Sequence, residues 1–312
     1  MNQHTIKNSI RAKGIGLHTG TVSTMRIFPA PENTGIVFIK SDDASPVFIP
    51  ALSQYVTNTT LSTDIGRKGV QIRTIEHLMS ALCGCGIDNA YIEIRGEEVP
   101  ALDGSSAPFC HLIKEAGIVE QDATRKFLRI DKPVKVGDEN GWAELVPFNG
   151  FSLDFSIDFD HKLIGESRYK IDLTGKSFWK EISRARTFGF IKDVEKLHNM
   201  GAALGASKQN AIILGDYQIL NDEKLRYPDE FVRHKILDAV GDLYVSGYQI
   251  IGKYRAYASG HRINDMLLQA VFESDAGTIM EMQSAKPRKN FDYLRKNNRY
   301  YSNQNDFIYR SI

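Results

Sequence analysis

His234, Asp238 and Asp242 recur at every fourth residue within the segment 231–242, so at 3.6 residues per turn they stack along one stripe of a helix. Val232, Ile236, Leu237, Ala239, Val240 and Leu243 occupy much of the remaining circumference, which predicts a helix buried on more than one side. Its polar stripe then faces the interior or a cleft. A buried imidazole one turn from a carboxylate is either a hydrogen-bonded structural pair or two ligands converging on a cation. Far upstream, residues 74–82 also read as a helix, with Thr74 as N-cap and Ile75, Leu78, Met79 and Leu82 as the apolar face. Glu76 and His77 stand side by side in its first turn. If the two helices meet, His77, His234 and Asp238 give two imidazoles and a carboxylate, which suits a hydrolytic Zn²⁺ with a fourth position left for water. Glu76, about 100° round the helix from His77, is placed to take the proton from that water.

The elements that must position these groups belong to a chain of 312 residues, 42% hydrophobic and 25% charged, which is the composition of a globular protein of two ordinary domains or one large one. Its 39 basic and 38 acidic residues nearly cancel, which argues against nucleic acid held by bulk charge and leaves room for a local basic groove around a small anion. The first residues lack an apolar targeting core, and no apolar run approaches the roughly 18 residues of a membrane span, so a cytoplasmic protein without stable membrane insertion is expected. The three cysteines, Cys83, Cys85 and Cys110, fit reduced thiols, with Cys83 and Cys85 closely packed among glycines at the end of the helix that carries His77.

The opening third reads as strands and turns. The glycine-rich segment 14–20 lacks a phosphate-loop spacing and reads as turns, which leaves His18 a structural or peripheral residue. Strands are expected over 21–28, 36–40, in short pieces over 56–72, and over 90–94, with a helix from Phe109 to Ala116 closed by Gly117. The polar run 120–124 marks a domain boundary. Beyond it, 127–136 and 142–148 flank Asn140-Gly141, a hairpin-turn signal, and Phe151, Leu153, Phe155, Ile157 and Phe159 alternate with polar residues as in a half-buried antiparallel strand. A helical or mixed stretch begins at Phe178, the small residues 201–206 permit close approach, a short strand covers 211–214, another covers 250–258, and a last helix runs from Asn264 to Phe272. From about Pro287 the chain turns basic, aromatic and Asn-rich, as in a peripheral tail.

Glu76-His77-Leu78 after Thr74-Ile75, Pro100 with Asp103-Gly104-Ser105, the alternating strand ending at Phe159, the run from Ser183 to Phe190, the segment 231–242 and Ser259-Gly260-His261 occur in an order that resembles the UDP-3-O-acyl-N-acetylglucosamine deacetylases. The matches extend from near residue 4 to about residue 272. The resemblance implies a zinc amidohydrolase catalysing the committed step of lipid A synthesis in Gram-negative bacteria, acting on an acylated UDP-N-acetylglucosamine as a monomer. It implies an α+β fold of two related domains, with helices packed between two outer sheets in a β-α-α-β sandwich. The domains would be 1–123 and 124–286, followed by the tail 287–312, with one insert per domain at about 40–70 and 189–214, the second forming a passage for the acyl chain. Carried over by position, His77, His234 and Asp238 would hold zinc and Glu76 would be the general base. Thr187 would help hold the oxyanion, and His261, oriented by Asp242, would protonate or stabilise the leaving amine. Lys235 would lie near the diphosphate, Phe159 would stack on uracil, and Phe188, Phe190 and Leu61 would border sugar and acyl chain.

Some members of that family carry Cys where Ser62 stands, a lysine where Ala258 stands, and a lysine near Gly141 beside Trp142. Without those two lysines the diphosphate needs other cationic or N–H partners, with Lys162 and Lys253 as candidates. Two rival readings are a non-haem Fe²⁺ enzyme built on the same two-His, one-carboxylate set and a non-catalytic module that binds nucleotide sugars or lipids. Glu76 and His261 favour the hydrolase, because an acid/base pair serves hydrolysis and is not needed for oxygen chemistry or for binding.

Overall fold

The computed structural model describes residues 1–41 and 45–281, and the tail beyond Pro287 lies outside the described residues. The architecture is α+β, with several sheets and six helices among the described residues. Apolar residues at period two along Val22–Pro29 and Ala90–Arg95 place Met25, Ile27, Ile92 and Ile94 on one fully buried face. These strands are the centre of a five-stranded sheet in the order Ile10–Ile15, Val22–Pro29, Ala90–Arg95, Ile36–Lys40, Val47–Pro50, in which only the Ile36–Lys40 pairing with Ala90–Arg95 is parallel. A seven-stranded sheet is built entirely from residues beyond 125, around Gln249–Tyr257. Smaller sheets join Val56–Asn58, Asp64–Arg67 and Val70–Ile72, and pair Phe188–Phe190 with Ile212–Leu214.

The helices are α1 (Glu76–Cys85), α2 (Ala107–Ala116), the single turn α3 (Gly175–Ser177), α4 (Val194–Asn199), α5 (Glu230–Tyr244) and α6 (His261–Glu273). Helix α1 packs along α5, α2 lies against α1, and α6 lies against α5. Gly86 in the left-handed region ends α1, and Gly117, also at positive φ, ends α2. Cys83 and Cys110 are buried free thiols, and Cys85 is half-buried. No described helix is long and apolar enough to cross a membrane.

Thr74 is not the N-cap of α1. Its φ of 58° turns the side chain away from the helix, and the hydroxyl donates instead to Glu98 Oε1 at 2.7 Å. Strand Phe151–Phe159 has an antiparallel neighbour, Gly165–Asp172, but its other neighbour, Gln249–Tyr257, runs parallel. It is also buried on both faces through its middle, because Asp154 accepts both arms of Arg168 at 2.7 and 2.9 Å and so tolerates burial. At the hairpin, Asp138 pairs with Gly141, so the two turn residues are Glu139 and Asn140 and the glycine opens the returning strand. Helix α6 starts at His261, three residues earlier than the sequence pattern predicts, and strand Gly277–Glu281 and helix α4 carry no clear pattern.

Candidate metal centre

Helices α1 and α5 approach more closely than ordinary side chains allow, because the contact is made at Gly241. A Cβ there would collide with the backbone carbonyl of Glu76. The approach brings the first turn of α1 against the stripe of α5 that carries His234 and Asp238. One ligand atom each from His77, His234 and Asp238 lies within 4.8 Å of the others, and all three residues are buried.

The donor set is prepared for a cation. His234 Nδ1–H donates to the Ala185 carbonyl at 3.1 Å, which fixes the tautomer and leaves the Nε2 lone pair 3.3 Å from Asp238 Oδ1. His77 Nε2 lies 3.5 Å from the same oxygen. Lys235 Nζ donates to Asp238 Oδ2 at 2.7 Å, whereas Oδ1 is buried without a hydrogen-bond partner. A buried carboxylate oxygen facing two imidazole nitrogens needs positive charge, which a divalent ion would supply. Burial pushes the His234 imidazole down to about 3, so it is neutral and able to ligate. Burial would also lower His77, but Asp238 and Glu76 beside it outweigh that and raise it. Asp238 is held well below the usual carboxylate range. Burial opposes this, and the His234 imidazole and the Lys235 ammonium beside it overcome it.

Glu76 sits in the first turn of α1, where the helix dipole favours a carboxylate, yet burial raises it to about 7. Its Oε2 accepts the Thr63 N–H at 3.0 Å. His261, the first residue of α6, donates Nδ1–H to Asp242 Oδ2 at 2.9 Å. Burial and the N-terminal dipole both disfavour an imidazolium there, but Asp242, Glu76 and Asp238 prevail and raise it to about 9. Asp242 is held in turn by the Thr63 hydroxyl at 2.7 Å and Asn264 Nδ2 at 2.8 Å.

The ligand residues, Glu76 and His261 open onto a cleft of about 300 Å³ with apolar walls that include Leu17, Val194, Leu197, Ala206 and Ile213. Glu76, His77, Thr187, His234, Lys235, Asp238 and His261 all line it, as do Leu61, Phe159, Phe188 and Phe190. Phe159 lies 5.6 Å from Phe188 and 5.9 Å from Phe190, ring centre to ring centre, so the three aromatics make one cluster that reaches His234 through Phe188. The backbone of Thr187 is fixed on both sides. Its N–H donates to Gly104 and its carbonyl accepts from Ile212, each at 2.8 Å. Gly104, at φ 79°, leaves room for the Asn210 carbonyl that a side chain would strike. Lys253 is engaged with Asp154 at 3.7 Å, and Lys162 stands over the Tyr217 ring at 4.8 Å.

Three residues absent from the sequence reading of the site belong to it. His18 is not peripheral. It is buried and lines the cleft, where Glu98 accepts its N–H at 3.0 Å and where it meets the backbone N–H of Ala203. Thr63 and Asn264 hold Asp242 from opposite sides. Local periodicity carries no signal for any of the three, since each acts through contacts between distant segments.

Two imidazoles and a carboxylate open to a cleft, with a second carboxylate of raised pKa alongside, are the equipment of a mononuclear metallohydrolase. The family profile described as LpxC, UDP-3-O-acyl N-acetylglycosamine deacetylase, matches residues 3–273, and the chain belongs to that family. It is 50% identical over 274 residues to the UDP-3-O-acyl-N-acetylglucosamine deacetylase of Pasteurella multocida (strain Pm70), covering 87% of this chain and 90% of the relative. The Hahella chejuensis (strain KCTC 2396) protein of the same name is 50% identical over 288 residues, covering 91% and 95%. That of Haemophilus influenzae (strain 86-028NP) is 51% identical over 274 residues, covering 87% and 90%.

Proposed function

We propose that this protein hydrolyses the N-acetyl group of UDP-3-O-(3-hydroxyacyl)-N-acetylglucosamine, releasing acetate and UDP-3-O-acyl-glucosamine, the committed step of lipid A biosynthesis. The family match supports the reaction, and the observation that carries the mechanism is the partnerless Asp238 Oδ1 facing His77 and His234 at the cleft. A Zn²⁺ ion held by His77, His234 and Asp238 would supply Lewis acidity and a water that ionises near neutral pH. Glu76 takes the proton from the attacking water. The Thr187 hydroxyl donates to the acetyl oxygen as negative charge develops on it. His261 gives its proton to the departing amine, with Asp242 holding the imidazole in the required orientation.

The acyl chain runs along the apolar wall, bordered by Leu61, Phe188 and Phe190, while Phe159 offers its face to uracil and Lys235 its charge to the polar end of the substrate. The division of strands supports two related domains meeting near residue 123, with α1 and α5 between the two large sheets, since among the described residues no strand of one large sheet pairs with the other. The inserts at about 40–70 and 189–214 contribute Leu61 and Phe190 to the cleft.

Turnover of the acylated UDP-sugar, followed as acetate release alongside zinc per chain, tests the reading. Activity proportional to zinc content, lost on chelation and restored by Zn²⁺, is expected. A zinc-loaded protein that releases no acetate overturns it, and activity restored only by Fe²⁺ overturns the choice of metal.

A further inference from the structure

We infer that Thr63 is a positioning residue that couples the proposed base to the proposed acid, fastening Glu76 through its backbone and the Asp242–His261 pair through its hydroxyl. The inference rests on the deacetylase reading and assigns a role to a residue that does not line the cleft. Thr63 is buried, and it makes three bonds, two to the start of α1 and one to α5. Its N–H donates to Glu76 Oε2 at 3.0 Å, its carbonyl accepts the Ile75 N–H at 3.0 Å at the start of α1, and its hydroxyl donates to Asp242 Oδ1 at 2.7 Å. Ile75 and Glu76 lie 12 and 13 residues away in sequence, and Asp242 lies 179 residues away.

A carboxylate that holds an imidazolium can swing unless its remaining lone pairs are tied. Asp242 is tied on three sides, by Thr63, by Asn264 Nδ2 and by His261 Nδ1. Asn264 is itself locked, its Oδ1 accepting the hydroxyls of Tyr254 at 2.6 Å and Ser259 at 2.9 Å. Thr63 is the tie that comes from the other half of the chain, so it sets the spacing between Glu76 on α1 and His261 on α6. The charged and titratable groups facing His261 are Glu76 and His77 from α1, Asp238 and Asp242 from α5, and His18 from the 14–20 loop. Removing only the Thr63 hydroxyl changes the bonding of one of these, Asp242.

Thr63→Val keeps the shape and the N–H bond to Glu76 but deletes the hydroxyl. The expected result is kcat lowered roughly 10- to 100-fold, the loss of one charge-assisted hydrogen bond, with KM nearly unchanged. With less of its charge neutralised, Asp242 holds the imidazolium harder, so the alkaline limb of kcat shifts upward. Thr63→Ser restores both. In a His261→Ala background, Thr63→Val has little further effect, because residues acting as one unit are non-additive. Should Thr63→Val fail to fold, Thr63→Cys, whose thiol is a poor donor, carries the same comparison. Wild-type kcat and pH profile in a folded, metal-loaded Thr63→Val or Thr63→Cys overturn the inference, as does a full additional loss on top of His261→Ala. Wild-type turnover measured in parallel separates this from the deacetylase reading, which fails only if the unmodified protein releases no acetate.

Discussion

At the scale of single residues, the site depends on two groups whose proton affinities have been moved in the same direction for opposite ends. Burial raises Glu76 to about 7, and Asp242 with its neighbours raises His261 to about 9 against burial. A base works when ionised and an acid when protonated, so in the proposed mechanism the active form has Glu76 charged and His261 charged. Activity is therefore expected to rise as pH increases through the Glu76 value, to hold between about 7 and 9, and to fall as His261 loses its proton. A cation on the adjacent ligands stabilises the Glu76 carboxylate and moves the acid limb lower, so zinc loading widens the plateau from that side. A pH–rate profile with no alkaline limb would remove His261 as the acid. Glu76→Gln keeps the shape and removes the base; a loss of roughly 10²- to 10⁴-fold in kcat is expected with metal content unchanged. Full activity in that variant would exclude Glu76. The stripe His234–Asp238 was legible in the sequence because its spacing is local to one helix, and the partnership with His77 required only that two amphipathic helices meet. The place of His18 at the cleft is not legible in the sequence, because a histidine among glycines carries no periodicity, and only the fold shows that Ala203 and Glu98 close around it.

At the scale of elements, the seam between α1 and α5 decides whether the ligands can share one ion. Gly241 lies inside α5, where alanine would ordinarily stabilise a helix by about 0.5–1 kcal/mol. Here the added methyl meets the carbonyl of Glu76, a backbone atom that cannot rotate away. Overpacking of this kind typically costs about 1–3 kcal/mol, so the clash wins. Gly241→Ala is expected to lower the melting temperature and to weaken zinc binding together, since relieving the clash pushes His77 away from His234 and Asp238. A variant as stable as the parent, with unaltered metal affinity, would show that the seam does not set the ligand spacing. Periodicity located both helices, but it could not show this contact or the start of α6 at His261, where Gly260 and not a periodic apolar residue opens the helix. Nor could it show that Phe151–Phe159 has a parallel neighbour about a hundred residues on, because alternation reports which faces are buried and not the direction of the next strand.

For the whole molecule, the proposed ion is a cross-link between two parts of the chain that share no strand pairing among the described residues. His77 comes from the half that builds the five-stranded sheet, and His234 and Asp238 come from the half that builds the seven-stranded one. An ion bound by all three stabilises the folded chain by RT ln(1 + [L]/Kd), about 4 kcal/mol at a thousandfold excess over Kd. For a chain of 312 residues, each kcal/mol moves the melting temperature by roughly 1.5 °C, so stripping the ion is expected to lower it by roughly 6 °C. Part of the apo site is already satisfied, with Lys235 on Asp238 Oδ2 and the Ala185 carbonyl on His234, so the stripped protein should still unfold cooperatively. Three proteins then discriminate the cause. The parent should lose stability on chelation and regain it with Zn²⁺, Glu76→Gln should behave in the same way because Glu76 is not a ligand, and His77→Ala should respond to neither treatment. If metal analysis shows the parent fully stripped while its melting temperature stays put, the ion does not join the two halves, and the ligand set proposed from α1 and α5 is wrong.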